Sequence, residues 1–435
     1  MILPTSDAPL AHSRPARREQ SDATPPSRHR WPVAAPHAGT HLPVADPFLA
    51  AVSSTNTVSQ SPHDLYKYPA RFAPEFARET IRAFSQPGDV VLDPFCGGGT
   101  SVIEAVALGR RAVGYDISAL ACFLARTKTT PLTVHDERAL HEWSLHLRRD
   151  PSLAAGSIWQ RYDTDDGYYR RNLPPAALGF FSTIIDQLDR LPHRRQRRFA
   201  RLVLLSVGQR ALDCKSHLPT TEEMHAQFRA QLAEQVSVFR RYTWNVARTL
   251  GVTHRRLEAL REIVRASSEI CGENGRPPTP KAALVVTSPP YPGVHMLYHR
   301  WQLFGRRETP APFLIADCRD GDGTSFYCLG NRHEAGLKTY YERLTKAFAA
   351  VRRCLKRDAL VVQMVAFNQP DWQLPAFLQA METAGYAEMR PRAARGLARD
   401  GRLWRAVPGR RWYAAAKSTN AAGNEVVLLH RPVGL

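Results

Sequence analysis

The segment Ser288-Pro289-Pro290-Tyr291 places two hydrogen-bond acceptors and an aromatic ring directly after an apolar stretch at 283–286. Proline has no N–H and a fixed φ, so the two prolines cannot continue a β-ladder. The residue before a proline is restricted to extended backbone. The sequence therefore predicts a buried strand that ends in a stiff, extended lip whose carbonyl groups point outward. A strand that simply ends in a proline-rich turn would show the same pattern.

A second stretch, DPFCGGGT at residues 93–100, combines a carboxylate at a predicted strand end with three glycines in the turn that follows. A glycine turn between a strand and a helix lets backbone approach a ligand that a Cβ would exclude. Asp116 follows Asp93 by about 20 residues, the spacing at which an acidic residue of nucleoside-binding βαβ units meets ribose hydroxyls. The stretch therefore predicts a site for a nucleoside-containing cofactor. A tight turn without a ligand is the alternative.

Predicted strands and helices place these two stretches in one α/β domain. Strand, glycine turn, helix and strand form a βαβ unit, and such a unit predicts a parallel sheet. The predicted elements are strands over 90–92, 112–115, 283–286 and 358–367, helices over 100–108, 221–250 and 374–386, and a closing antiparallel pair formed by 410–416 and 424–432.

The type of cofactor follows from the first residue of the glycine turn. A dinucleotide site would carry GxGxxG at the helix start to bind a pyrophosphate, whereas DPFCGGGT begins with Asp93. A phosphate gains nothing beside a carboxylate, but a cationic amino acid does. S-adenosylmethionine (SAM) carries an ammonium group, a ribose and a sulfonium, so the residues favour SAM.

Both stretches resemble motifs of one enzyme family. DPFCGGGT looks like the DPFxGxGT cofactor motif of the amino-methylating DNA methyltransferases, and TSPPY looks like their catalytic (D/N/S)PP(Y/F) motif. YPARFAPEF, at 68–76, is similar to the segment that precedes the cofactor strand in that family. The resemblance covers 63–120 and 282–305. It implies a class I SAM-methyltransferase (Rossmann-like) fold, with a seven-stranded sheet and a mostly helical insertion.

The resemblance also implies the site residues. Its catalytic positions are Ser288, Pro289, Pro290 and Tyr291. Its SAM-binding positions are Tyr68, Arg71, Phe72, Asp93, Pro94, Phe95, Gly97, Gly99, Thr100 and Asp116. The family often carries an Asp at the third strand near the adenine ring, and here Glu273 or Asn274 would have to substitute for it.

The chemistry of an exocyclic amine explains why a proline-rich lip suits it. Such an amine is conjugated and planar, and accepting hydrogen bonds from its two N–H groups draws the nitrogen toward sp³ geometry. The Ser288 hydroxyl and the Pro289 carbonyl are two acceptors on a rigid support, and rigidity matters because misplacement is costly. Stacking of Tyr291 on a base swung out of a duplex would contribute about 1–3 kcal/mol, comparable with the few kcal/mol that flipping requires. Serine at the first motif position is typical of cytosine-N4 enzymes and Asp or Asn of adenine-N6 enzymes, so the resemblance favours N4 of cytosine.

The charge of the chain favours a polyanionic partner. The formal net charge is +19 and the isoelectric point is about 10.0, which favours nucleic acid. Arg194, Arg195, Arg197 and Arg198 are predicted to contact phosphates, and Arg300 is a further candidate. A genome-wide bias toward arginine, or a solvated helix face, is the alternative.

The predicted substrate is DNA, modified at a specific site as in restriction–modification, with any partner nuclease unknown. A methyltransferase of RNA amines and a catalytically idle nucleic-acid-binding protein are the rivals.

Cysteine and hydropathy patterns bear on compartment and metals. The seven cysteines are scattered without a CxxC pair, which favours free thiols in a reducing cytoplasm. The chain has no apolar run of membrane-spanning length and no secretory h-region. His295 and His299 have helical i, i+4 spacing but no evident third ligand, so no metal site is predicted.

Composition divides the chain into four parts. Residues 1–47 are predicted to be a disordered, basic and proline-rich tail. Residues 48–130 are predicted to form the SAM-binding half of the catalytic domain, and 131–280 a helical insertion. The order of the motifs resembles the arrangement in which the target-recognition region lies between them, which makes the insertion the candidate target-recognition region. A structural helical cap is the alternative. Residues 281–435 form the catalytic half, with the SPPY motif and the closing strands.

Overall fold

A computed structural model describes the chain over residues 41–54, 60–68, 72–147, 167–273, 280–292, 300–305, 307–320, 327, 329–330, 334–392, 398–406 and 424–434. Several predicted features lie outside these ranges: residues 1–40 of the tail, the strand at 410–416, Arg71, Asn274, His295 and His299.

The strands of the described part are β1 (His41–Leu42), β2 (Val90–Asp93), β3 (Arg111–Asp116), β4 (Arg261–Arg265), β5 (Ala282–Thr287), β6 (Trp301–Leu303), β7 (Arg307–Thr309), β8 (Leu355–Ala366), β9 (Tyr386–Pro391), β10 (Ala398–Arg399), β11 (Arg402–Ala406) and β12 (Asn424–Pro432).

The α-helices of the described part are α1 (Asp46–Ser53), α2 (Pro74–Phe84), α3 (Thr100–Ala107), α4 (Ala119–Lys128), α5 (Val134–Leu145), α6 (Pro175–Asp186), α7 (Arg194–Leu212), α8 (Thr221–Leu250), α9 (His254–Ala259), α10 (Ala311–Ala316), α11 (Glu334–Arg352) and α12 (Pro370–Thr383). Within these ranges no helix is long and apolar enough to cross a bilayer.

Ten of the strands form one sheet in the order β1-β9-β12-β8-β5-β2-β3-β4, with β11 and then β10 attached beside β12. Strands β2, β3, β4, β5 and β8 pair in parallel, whereas β12 is antiparallel to β8 and β9. Numbering β2, β3, β4, β5, β8, β9 and β12 from one to seven gives the order 3-2-1-4-5-7-6. This order, with an antiparallel seventh strand, is that of class I methyltransferases, so the predicted fold is confirmed.

Helices cover both faces of the sheet. One face packs against α11 and α12 through side chains such as Phe348 and Phe377. The other packs against α1 to α4, where Phe76 and Ile81 are fully buried. Burial on both faces explains why the central strands are almost entirely apolar.

The sheet resumes earlier than predicted. β4 pairs in parallel with β3 at the edge of the sheet, so the insertion ends at residue 260 rather than 280. Only Ile263 of this strand is buried. An edge strand has one neighbour, and here the side chains of Glu262 and Arg265 are about half exposed, whereas Arg261 donates to Thr130 Oγ1 at 2.8 Å. REIVR therefore lacks the apolar run that identifies a buried parallel strand.

The ordered structure also begins earlier than the predicted boundary at 47. β1 pairs in parallel with β9, and Phe48 of α1 is fully buried. Residues 41–47 therefore belong to the α/β domain, and the prediction of a tail is wrong for them. A two-residue strand has too few residues to show a periodic pattern.

The insertion between β3 and β4 contains α5 to α9, in addition to the connecting helix α4. α8 spans 221–250, the range its sequence pattern predicts, with a Thr220–Glu223 capping box at one end and Gly251 in the left-handed region at the other. Its buried side chains share one core with Tyr68 and Trp301. The insertion is therefore packed into the same body as the segments that carry the site.

Candidate cofactor and catalytic site

The carboxyl ends of β2, β3, β4 and β5 meet around one cavity of about 870 Å³, counting its open mouth. Open α/β sheets bind ligands at this edge. Most of the site residues predicted from the sequence line this cavity: Tyr68, Phe72, Asp93, Pro94, Phe95, Gly97, Thr100, Asp116, Ser288 and Pro290.

Three of the predicted cofactor-binding and catalytic residues are described but do not line the cavity: Gly99, Pro289 and Tyr291. Gly99 has a φ of +85°, and a Cβ there would lie 2.9 Å from the Cβ of Ala125. Its conformation therefore lets α3 begin close against α4 instead of contacting a ligand.

The glycine turn makes room for a protein side chain. A Cβ on Gly98 would lie 2.8 Å from the Cβ of Tyr68, and one on Gly97 would lie 3.3 Å from the Tyr68 ring. The group that a Cβ would exclude is thus Tyr68, which is itself 5% exposed and lines the cavity. The turn acts on the cavity through the position of this ring.

Asp93 is buried and has several partners inside the protein. It accepts hydrogen bonds from the Ser101 hydroxyl, from Thr287 Oγ1 at 2.6 Å and from the Phe95 amide at 3.1 Å. Burial raises the pKa of Asp93 to about 6, although these three hydrogen bonds oppose the rise. A carboxylate offers about four lone-pair directions. Three of them accept the hydrogen bonds that connect Asp93 to Phe95, α3 and β5, so one remains for a ligand.

Asp116 at the end of β3 is held by backbone. Its two oxygens each accept one amide at 2.8 Å, from Gly97 and from Ser118. Burial, and secondarily the negative charge of Asp93, raise the pKa of Asp116 to about 6, against the lowering effect of the two amides. The glycine turn and the ribose-binding candidate are therefore one hydrogen-bonded unit.

The residues after β4 were missed in the sequence. Ser267 and Ser268 line the cavity, and the Ser268 hydroxyl donates to the carbonyl of Pro94. Arg343 of α11 also lines the cavity and pairs with Glu269 at 2.7 Å. These residues were missed because the sequence analysis placed the third strand of the sheet further along the chain. The residue expected near the adenine ring was therefore sought at 273–274.

Glu273, which was predicted to replace the family's Asp near the adenine ring, lies outside the cavity. It pairs with Arg353 at 2.7 Å, with both side chains about half exposed. Cys96, Gly98, Ile117, Tyr327 and Leu329 complete the cavity lining that the sequence did not identify.

The SPPY lip is fixed by hydrogen bonds on several sides. The Ser288 hydroxyl lies 2.9 Å from the carbonyl oxygen of Met364 and 3.3 Å from the Tyr291 hydroxyl. Tyr340 donates to the Pro290 carbonyl at 2.7 Å. That carbonyl is used internally, so the prediction that the lip's carbonyls all point outward is wrong for Pro290.

Tyr291 is tied to the last strand of the sheet. Its hydroxyl donates to Glu425 Oε1 at 2.6 Å, and its ring packs on the core that lies between the sheet and α11. Glu425 was missed in the sequence, although a lone carboxylate at the start of the apolar run VVLL is the signal that would have identified it. Base stacking by Tyr291 stays a prediction.

The four arginines of the predicted basic patch fall into two pairs. Arg195 pairs with Asp136 at 2.7 Å and Arg197 with Asp189 at 3.2 Å. Arg194 is exposed and Arg198 half-buried. Desolvation, followed by the charges of Arg194, Arg126 and Arg261, lowers the pKa of Arg198. Two of the four thus support the fold, and two lie in a cluster of like charge.

The patch lies far from the cavity. Gln209, near the end of α7, bonds both backbone groups of Lys67 at 3.0 Å, next to Tyr68. At 1.5 Å per residue, Arg194 at the start of α7 lies roughly 20 Å from Gln209 along the helix axis. The fifth candidate, Arg300, pairs with Glu308 of β7 at 2.8 Å. Within the described ranges, no group of His, Cys, Asp or Glu side chains could hold a metal ion.

Comparison with known proteins identifies a family that part of the chain resembles. Residues 15–126 match the family model described as DNA methylase (N6_N4_Mtase). Over this segment the chain is similar to the amino-methylating DNA methyltransferases. The segment contains Asp93 and Asp116, while the SPPY motif lies outside the matched range.

Curated relatives match over short stretches. The chain is 37% identical over 82 residues to the type II methyltransferase M.MvaI of Kocuria varians, covering 18% of each protein. It is 52% identical over 48 residues to the type II methyltransferase M.MjaI of Methanocaldococcus jannaschii, covering 11% of this chain and 16% of the relative. It is 39% identical over 71 residues to the tRNA (guanine(10)-N2)-dimethyltransferase of Methanothermobacter thermautotrophicus, covering 16% and 21%. The chain thus spans about a fifth or less of these relatives.

SAM is the cofactor of this family, as predicted from the glycine turn, and the cavity suits it. Asp93 and Asp116 face the same space, and burial makes ionisation of both unfavourable. A cationic ligand beside two such carboxyl groups favours their charged forms. Asp116 also keeps lone pairs that can accept from ribose hydroxyls.

Proposed function

We propose that the protein is a SAM-dependent methyltransferase that modifies an exocyclic amine in DNA, with N4 of cytosine as the preferred acceptor. The observation that carries the proposal is a single cavity lined by Asp93, Asp116 and Ser288. These residues come from three parallel strands, and the sheet brings their carboxyl ends together.

The cofactor half of the cavity has defined roles. Bound SAM supplies a methyl group activated by a sulfonium. Asp116 accepts from the ribose hydroxyls, and Asp93 offers negative charge to the ammonium group. Tyr68, positioned by the glycine turn, closes the cavity beside them.

The acceptor half of the cavity orients the amine. The Ser288 hydroxyl in the cavity wall accepts one N–H group, and the carbonyl of Pro289, which lies outside the wall, is the second acceptor that the motif predicts. Two acceptors favour the pyramidal nitrogen that attacks a methyl group. The lip is rigid because Tyr340 and Met364 hold it from the protein side. Preorganised groups of this kind lower a barrier without reorganising during the reaction.

DNA is favoured as the substrate class. The matched family is named for DNA methylation, and two relatives are type II methyltransferases by name. The net charge of +19 suits a polyanion. Modification of a specific DNA site, as in restriction–modification, is part of this proposal.

RNA is the second candidate, supported by the similarity to a tRNA dimethyltransferase. The same amine chemistry serves both nucleic acids. An idle binding protein is disfavoured, because it would have no need for two carboxyl groups and a rigid acceptor around one cavity.

The test is transfer of a radiolabelled methyl group from SAM to duplex DNA, single-stranded DNA and total RNA by the purified full chain. We expect label in DNA, and none with Asp116→Ala. The control variant Glu273→Gln changes a carboxylate outside the cavity and should be as active as the wild type. Label in RNA alone would replace DNA as the substrate, and SAM binding without transfer to any nucleic acid would contradict the proposed function.

A further inference from the structure

The carboxylate of Glu425 lies at the start of β12, where its strand passes behind the SPPY lip. Its side chain is 1% exposed. One oxygen accepts from the Tyr291 hydroxyl at 2.6 Å, and the other accepts from Arg405 Nε at 2.7 Å. Glu425 therefore connects a residue of the catalytic motif to a buried cation.

Arg405 is fixed independently of Tyr291. It is directly opposite Glu425 in the β11–β12 pair, and its Nη1 donates to the carbonyls of Val52 at 3.2 Å and Ser54 at 3.1 Å. The guanidinium only donates and is always charged. A buried ion pair of this kind is weak evidence for stability, so a role in setting geometry has to be considered.

The pair fixes the direction of the Tyr291 hydrogen bond. An ionised carboxylate only accepts hydrogen bonds, so the phenol must give its single hydrogen to Glu425. The Tyr291 oxygen then faces Ser288, 3.3 Å away, with lone pairs alone.

Ser288 is thereby surrounded by acceptors on the protein side. The Met364 carbonyl at 2.9 Å can only accept, and the Tyr291 oxygen, with its hydrogen committed, can only accept as well. Ser288 must donate its own hydrogen to one of these two oxygens. Both lone pairs of Ser288 Oγ are then left for a group in the cavity that Ser288 lines.

We propose that Glu425 is a positioning residue that, acting through Tyr291, keeps both lone pairs of Ser288 Oγ available to a group in the cavity. The proposal rests on the function proposed above, in which Ser288 accepts from the amine. It explains why the Tyr291 hydroxyl, 3.3 Å from Ser288, does not occupy a lone pair of this acceptor.

Glu425→Gln reverses the direction of the hydrogen bond between residue 425 and Tyr291 with almost no change in side-chain shape. Arg405 only donates, so it binds the amide oxygen and turns the amide NH₂ toward Tyr291. The phenol then accepts from Gln and donates to Ser288, so a lone pair of Ser288 Oγ is occupied. We expect kcat to fall about tenfold or more with KM nearly unchanged, because the lost interaction forms chiefly in the transition state.

A double-mutant cycle with Tyr291→Phe separates this relay from a structural role. Tyr291→Phe keeps the ring and removes the hydroxyl that transmits the polarity. We expect Glu425→Gln to lower kcat in the wild-type background and to have little further effect in the Tyr291→Phe background. Equal fold-losses in both backgrounds, or a loss confined to KM, would overturn the relay. SAM affinity, measured by calorimetry, should be the same in all four proteins.

A second measurement does not depend on methyl transfer. The urea midpoints of the same four proteins should be non-additive, because Glu425 and Tyr291 share a hydrogen bond, and additive midpoints would overturn the contact itself. Glu425→Asp, which keeps the charge, should recover kcat over Glu425→Gln. Failure of the wild type to methylate any nucleic acid would instead contradict the proposed function, while the urea cycle would still decide the contact.

Discussion

At the scale of single residues, the two carboxyl groups of the cavity wall destabilise the free protein when they are ionised, whereas their ionised forms favour binding of a cationic ligand. Asp93 and Asp116 each have a pKa raised to about 6 by burial. A raised pKa contributes stability that is fully present below the unfolded value, near 3.8, and is lost as pH rises through about 6. The free protein is thus destabilised at neutral pH by the same charges that SAM needs.

We predict that SAM binding releases protons at pH 6 and tightens between pH 5 and 7. A bound cation lowers the pKa of both carboxyl groups, so protons leave as the ligand enters. Calorimetry at pH 6 in two buffers of different ionisation enthalpy measures the number released. Asp116→Asn should reduce that number and weaken binding more than tenfold, since each charge-assisted bond contributes about 1.5–3 kcal/mol. A heat of binding that is the same in both buffers would contradict the prediction.

The acceptor residue makes a second prediction at this scale. Ser288→Ala removes one oxygen that binds the amine chiefly in the transition state, so kcat should fall far more than KM rises. Steady-state kinetics on a DNA substrate measures both constants. Thr383→Ala, which removes an exposed hydroxyl at the end of α12 and outside the cavity, is the control and should leave kcat at the wild-type value. A rise in KM alone would assign Ser288 to substrate binding.

At the scale of elements, the sequence predicted what depends on strong local patterns. The βαβ unit from β2 to β3 and the long helix α8 have continuous apolar periodicity, and both were found within one or two residues of their predicted ends. β4 was missed because an edge strand needs only one buried side chain. Ser267 and Ser268 could not be identified for the same reason, since their position in the site follows from where β4 ends.

The start of α7 also differs from its sequence pattern. HRRQRRFAR predicts a uniform basic face, but Arg195 completes the buried cap of α5 through Asp136, where Gln196 and Thr133 also bind. Only the tertiary contacts show which of the four arginines pair with carboxylates of the protein and which could contact a nucleic acid. A charge pattern alone does not contain this information.

This division leads to a prediction for nucleic-acid binding. Arg194→Glu with Arg198→Glu should weaken DNA binding and lower the slope of log affinity against log salt by about two, without loss of fold. Lys338→Glu with Lys346→Glu makes the same change in net charge on exposed positions of α11 and is the control. Binding isotherms at several salt concentrations measure the slopes. Equal slopes in the two variants would show that the α7 residues are a solvated face.

Arg195 should behave differently from its neighbours. Arg195→Ala leaves the buried Asp136 without its cation, which we expect to lower the free energy of unfolding by about 1–2 kcal/mol after allowance for the partial exposure of Arg195. Urea unfolding measures this difference. No change in stability would mean that Gln196 and Thr133 suffice to hold the carboxylate.

At the scale of the whole molecule, the insertion and the site form one structure. Helices α5 to α8 share a core with Tyr66 and Tyr68 beside the cavity and with Trp301 after the SPPY motif. Trp301 also donates to the Tyr66 hydroxyl at 3.3 Å. The sequence predicted a helical insertion between the two halves of the sheet, with target recognition implied by the family resemblance, but the sequence pattern does not show which cores the insertion shares. A nucleic acid that contacts the insertion therefore acts on a body that includes the cavity wall.

The identity of the methylated amine is a property of this whole arrangement, and it is the last prediction. N4 of cytosine and N6 of adenine are both planar exocyclic amines, and an acceptor pair such as Ser288 and the Pro289 carbonyl can hold either. Serine at the first motif position favours cytosine through the family resemblance. We expect N4-methyldeoxycytidine when DNA treated with the purified chain and SAM is digested to nucleosides and analysed by mass spectrometry. Asp116→Ala protein, which we expect to transfer no methyl group, is prepared in parallel and controls for modified bases already in the DNA. N6-methyldeoxyadenosine as the sole product would reverse the base assignment while leaving the amine chemistry of the cavity intact, because the same two acceptors would then hold the larger base.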